Sequence, residues 1–133
     1  MSLKTWKEEF YPTEASSPEA LASPIEHSLR KWKGLTEENL SKHDIWRDKK
    51  AALIRDDDNK FLVIDSESCS LCAKSKLIRF SKQGSSMCEH CEIMKNLNEE
   101  CDIEYAEWVC TGDPTLMISL LTRTLAASKT LTP

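Results

Sequence analysis

Two C-x-x-C pairs constrain this chain more than any other feature: Cys69 with Cys72 and Cys88 with Cys91, fifteen residues apart. Each pair makes a tight turn that aims two thiolates at one point. A loop of that length folds back and brings the two turns together, which is what a tetrahedral tetrathiolate zinc site needs. The spacing predicts one structural zinc per chain on Cys69, Cys72, Cys88 and Cys91, with Cys101, ten residues past Cys91, as a substitute ligand. An iron–sulfur cluster is the lesser alternative, because the close triple spacing of bacterial ferredoxins is missing. A redox dithiol normally uses a single pair at a helix start beside a βαβ pattern, and no such pattern is present. Thiols buried as small hydrophobes leave two pairs of identical spacing unexplained.

The length, 133 residues, supplies one domain with a modest core, and 40% hydrophobic with 30% charged residues is ordinary globular composition. No apolar run approaches about 18 residues, so no membrane span is expected. The stretch Met1 to Phe10 carries charge and has no apolar signal core. The expected setting is cytoplasmic, where cysteines are read as thiols and metal ligands before disulfides. The formal net charge is -4, and a tetrathiolate zinc would add about two negative charges. Charge is nonetheless uneven. Lys74, Lys76, Arg79, Lys82 and Lys95 outnumber Glu89 and Glu92 around the cysteines, while the chain from Asn96 onward is acidic.

Taken in order, Leu3, Trp6 and Phe10 fall on one face of a short terminal helix stopped before Pro12. Ser17-Pro18 and Ser23-Pro24 are helix starts, with Glu26 three residues after Ser23. The main helix is expected over Pro24 to Lys33, burying Ile25, Leu29 and Trp32 and stopping at Gly34. Thr36 caps a shorter helix to about His43, with Leu35 and Leu40 as a hydrophobic staple, and His43 is read as a partner of that helix's C-terminal dipole. Ala51 to Arg55 and Phe61 to Ile64 read as a β-hairpin around a charged tip, Asp56 to Lys60, which lacks the glycine and distal glutamate of a calcium loop. Leu77 to Ser81 reads as a short strand between the cysteine pairs, Gln83 to Ser86 as a turn, and the residues after Cys91 as a helix to Asn98. Tyr105 to Val109 alternates partly and reads as a strand or docked segment that buries Cys110 as an inert thiol. Gly112-Asp113-Pro114 starts the last helix, to about Ala127, whose broad apolar stripe should pack on the Ile25–Leu29–Trp32 face and also has the width for a homodimer contact.

The expected architecture is α+β: a small single domain whose N- and C-terminal helices pack around a short β-hairpin and a zinc-knuckle unit, ribbon or treble-clef-like. Residues 1–16 form a loosely attached arm, 17–127 the domain with its metal unit at about 65–101, and 128–133 a tail.

Ser28 to Leu35, Glu38 to His43, the cysteine pairs with Cys101, and Gly112-Asp113-Pro114 followed by Met117-Ile118 together resemble a small family of uncharacterised bacterial and phage-associated proteins. The resemblance covers about Ile25 to Leu125. It departs from the family's pattern at Glu92 and Thr115, where a proline is frequent, and implies one compact unit but no activity.

A closed four-cysteine site has no open position for activating water, and no H-E-x-x-H motif or glycine-rich phosphate loop accompanies it. The chain therefore reads as a binding protein, with a protein partner first. Nucleic acid is second, through Lys74, Lys76, Arg79 and Lys82. A zinc enzyme with one ligand exchanged for solvent comes last.

Overall fold

The computed structural model describes residues 2–48, 52–65, 68–74, 91–97, 99 and 101–130. Four helices lead into a small sheet: α1 (Leu3–Phe10), α2 (Pro18–Ala22), α3 (Pro24–Lys33) and α4 (Glu37–Lys42). Strands β1 (Trp46–Asp48), β2 (Leu53–Arg55) and β3 (Phe61–Val63) pair antiparallel in the order β1-β2-β3. A helical turn over 70–74, α5, precedes α6 (Glu92–Leu97), α7 (Asp102–Thr111) and α8 (Thr115–Thr130). This is an α+β arrangement. Among the described residues no helix is long and apolar enough to cross a membrane. The strand and turn expected at Leu77 to Ser86 lie outside the described residues.

The helix starts follow their local chemistry. Ser17 accepts from the Ala20 amide at 3.2 Å, Thr36 from Asn39 at 3.3 Å, and Asp113 from Thr115 at 3.0 Å, each satisfying an amide that the first turn leaves open. Ser23 differs. It ends α2 and begins α3 at once, and its side chain makes no capping bond, so Pro24 at the first helical position starts α3 without the capping box.

The core lies where α8 crosses α3 and packs on α6 and α7. Met117, Leu120 and Leu121 of α8 are buried there with Ile25, Leu29 and Trp32 of α3. Trp108 is fully buried at its centre, edge-on to Trp32 with ring centroids 5.4 Å apart. The cross-strand row Arg47–Ile54–Leu62 faces this core: Ile54 is fully buried, and Arg47 donates to the Val109 carbonyl at 2.8 Å. Terminal helix α1 is packed onto the body. Trp6 is fully buried and donates to the Gly34 carbonyl at 2.8 Å, and the Leu3 amide donates to Asp56 at 3.0 Å.

Two expectations are corrected. Tyr105 to Val109 is part of α7, not a strand. Cys101 begins the helix, and Gly112, at a left-handed φ of 79°, returns its amide to the Trp108 carbonyl and ends it. The helical period then places Cys110 opposite Trp108, so Cys110 is exposed and not a buried thiol. Strand β1 is a further finding, an extra partner for the expected hairpin.

Candidate metal centre

The first cysteine pair is positioned by a turn and a helix start. The Ser68 amide donates to the Asp65 carbonyl at 3.2 Å, turning the chain after β3, and the Ala73 amide donates to the Cys69 carbonyl at 2.9 Å. Cys69 therefore sits at the start of α5, and Cys72 within its first turn. Ser70, fully buried, donates to the Pro24 carbonyl at 2.8 Å and fixes α5 to the beginning of α3, while Leu71 enters the core. Cys101 is the N-cap residue of α7, and Cys91 immediately precedes α6. The positive end of a helix dipole favours thiolate over thiol at such positions.

These elements enclose a cavity of about 260 Å³. Cys69, Cys72 and Cys101 open onto it together with Ser28, Lys31 and Asp65, and Trp32, Leu71, Ile93, Tyr105, Met117 and Leu121 form apolar walls. Ser28 Oγ lies 3.4 Å from Cys69 Sγ. The Cys72 thiol hydrogen-bonds to the Cys69 sulfur. The hydrogen bond from Cys72 holds the Cys69 thiol well below its ordinary range, helped by Lys31 and Ser28. The same bond raises Cys72, as do burial and the negative charge of Cys69, Cys101 and Cys91. Three other sulfurs thus lie in electrostatic reach of Cys72: those of Cys69, Cys91 and Cys101.

The donor set fits a thiophilic ion in kind, with one sulfur held as thiolate, others in electrostatic reach, and the buried Lys31 beside them. Among the described residues no three His, Cys, Asp or Glu side chains are gathered closely enough to hold an ion. Cys88 lies outside those residues, so the expected set of Cys69, Cys72, Cys88 and Cys91 is represented by three members. Cys101, expected only as a substitute, stands on the same cavity as Cys69 and Cys72.

Of the basic loop, Lys74 is described and Lys76, Arg79 and Lys82 are not. Lys74 pairs with Glu92 at 2.9 Å, tying α5 to α6 and so the first cysteine pair to the helix that follows the second. His43 caps α4 and is buried between Glu9 (Nε2 to Oε1, 2.7 Å) and Thr5 (Nδ1 to Oγ1, 2.9 Å). Thr5 Oγ1 also lies 2.8 Å from the Ser2 carbonyl, so this cluster closes on backbone and binds α1 to α4.

Lys31 was missed by sequence reasoning. It stands three residues after the buried Ser28 of α3, but a lysine at that spacing gives no sign of burial by itself. Searches against protein-family models, curated proteins and solved structures return no match.

Proposed function

We propose that this chain is a small zinc-binding protein with a structural tetracysteine site, acting by binding a macromolecule, in the first place a protein. The ligands are drawn from Cys69, Cys72, Cys88 and Cys91, with Cys101 as the alternative fourth. The observation that carries this reading is the convergence of Cys69, Cys72 and Cys101 on one cavity, with Cys91 in electrostatic reach of Cys72. Bound zinc would supply folding energy by cross-linking α5, α6 and α7.

The outer face of the sheet supports a protein partner. Trp46, Arg55 and Phe61 stand in one cross-strand row, with Trp46 44% and Phe61 55% exposed. Tryptophan and arginine are among the residues that dominate protein interfaces. The phosphate-binding alternative is weaker because Lys74 is already paired with Glu92.

Metal content and thiol titration of the chain purified without added metal test the reading. One zinc per chain, with two of the six cysteines still reactive, is expected. No metal and six titratable thiols would overturn it.

A further inference from the structure

We propose that Lys31 is the built-in counter-charge of the cysteine centre, a positioning residue that lets an anionic thiolate–metal assembly form within apolar walls. The inference rests on the metal reading above and adds a residue to it.

Lys31 is 1% exposed, a burial that lysine almost never accepts without a charged partner. Helix α3 carries it into the core between Ser28 and Trp32, and its ammonium is pinned from two sides. Nζ donates to the Ser68 carbonyl at 2.9 Å, one residue before Cys69, and lies 5.5 Å from the centroid of the Trp32 ring. A carbonyl and a ring face orient a cation but do not neutralise it. The titratable groups that line the cavity with Lys31 are Cys69, Cys72, Cys101, Asp65 and Asp102, and of the sulfurs Cys69 is the one held as thiolate. Burial holds the Lys31 amine below its ordinary range, and Cys69, Cys72, Asp65 and Cys101 oppose that effect.

A zinc held by four thiolates carries two negative charges, and at this depth water screens them little. Lys31 offsets one of them from a fixed position. A partner of that charge also accounts for a lysine on the face of α3 that otherwise enters the core.

The test is zinc affinity of the whole chain at fixed pH, by competition with a chromophoric chelator, for wild type, Lys31→Met, Lys31→Arg and Asp65→Asn. Lys31→Met keeps most of the packing volume and removes the charge. Its affinity should fall roughly 10- to 100-fold, as expected for one charge several ångströms away at an effective dielectric of about 20. Lys31→Arg should restore most of that affinity. Asp65→Asn removes a competing negative charge and should tighten binding a few-fold. It also keeps the proposal testable should Lys31→Met fail to fold.

The metal-free stability of Lys31→Met separates this role from packing. It should equal or exceed that of metal-free wild type, because the cost of burying the amine has gone. Wild type that takes up one zinc, with Lys31→Met binding it equally tightly or Asp65→Asn binding it no tighter, overturns the role of Lys31 and leaves the metal reading standing. Wild type that takes up no zinc overturns both.

Discussion

Asp56 and Lys31 are both charged and both buried, at 3% and 1% exposure, yet the molecule accommodates them in opposite ways. Asp56 closes the tip between β2 and β3. One carboxylate oxygen accepts from the Asp58 and Lys60 amides and the other from the Leu3 amide, each at 3.0 Å. Those donors are backbone groups that a hairpin tip and a helix start would otherwise leave unsatisfied. Lys31 instead faces a cavity lined by three cysteines and two aspartates, Asp65 and Asp102. The hairpin end is completed by its own main chain, whereas the cysteine end is organised around side-chain sulfur. On the proposed zinc reading, metal would act on the second arrangement and leave the first unchanged.

Metal removal should break the two ends apart, and this is the largest effect expected. On chelation, or in Cys72→Ser, amides in α5, α6 and α7 should lose protection from hydrogen exchange by about 100-fold or more. Those of β2 and β3 should change far less, as expected where cooperative units differ in stability. Exchange followed by mass spectrometry on loaded and stripped protein reads this directly. Uniform loss across the hairpin and the cysteine segments would erase the distinction. The stabilisation lost should be on the order of several kcal/mol, since zinc affinity for such a site is folding free energy.

This contrast also marks what sequence could show. The bounds of α3, the hairpin and the start of the last helix were legible because proline, glycine, threonine and aspartate act locally, within one turn of where they stand. The turn that carries Cys69 and Cys72 was legible because that spacing is local too. Strand β1 was not, because Trp46-Arg47-Asp48 has no apolar alternation and becomes a strand only by pairing with β2. Helix α7 was misread because tyrosine, tryptophan and valine favour strands, and burial of Trp108 against Trp32 overrides that preference. Lys31 was hidden for a related reason. A lysine on a helix is expected on the wet face, and only the arrival of α5 and α7 covers it. The interaction of Cys101 with the first pair likewise depends on where α7 begins in space.

A middle-sized test sharpens the hairpin side. Gly34 follows α3 at an ordinary helical φ of -70°, so its role is space and not conformational freedom. A Cβ there would fall 2.4 Å from Phe10 Cγ and 2.6 Å from Phe10 Cβ. Gly34→Ala should push the end of α1 outward and strain the bond from Trp6 to the Gly34 carbonyl. The expected loss is about 1–3 kcal/mol, the usual range for overpacking, read as a lower denaturant midpoint at unchanged slope. Zinc affinity should stay at the wild-type value, because Gly34 lies against α1 and not against the sulfur cavity. A fall in affinity comparable to that of Lys31→Met would show the two ends to be coupled.

The smallest effect belongs to Asp56 and is best seen through pH. The hydrogen bond from the Leu3 amide, with those from Lys60 and Asp58, holds its carboxyl below the ordinary value of 3.8. A carboxyl depressed on folding contributes stability that is fully present above its unfolded value and is lost as pH falls through the lower folded value. Asp56→Asn keeps an acceptor oxygen but not the charge, so it should be less stable than wild type near neutrality. The gap between the two should close in acid, below about 3.8. Acid also protonates thiolates and strips metal, but this affects both proteins alike and leaves their difference to report on Asp56. Denaturant midpoints of both proteins from pH 7 to pH 2 would show the curves converge. Parallel curves down to the lowest pH would mean that the Leu3, Asp58 and Lys60 amides gain nothing from the charge, and the hairpin tip would then be held by geometry alone.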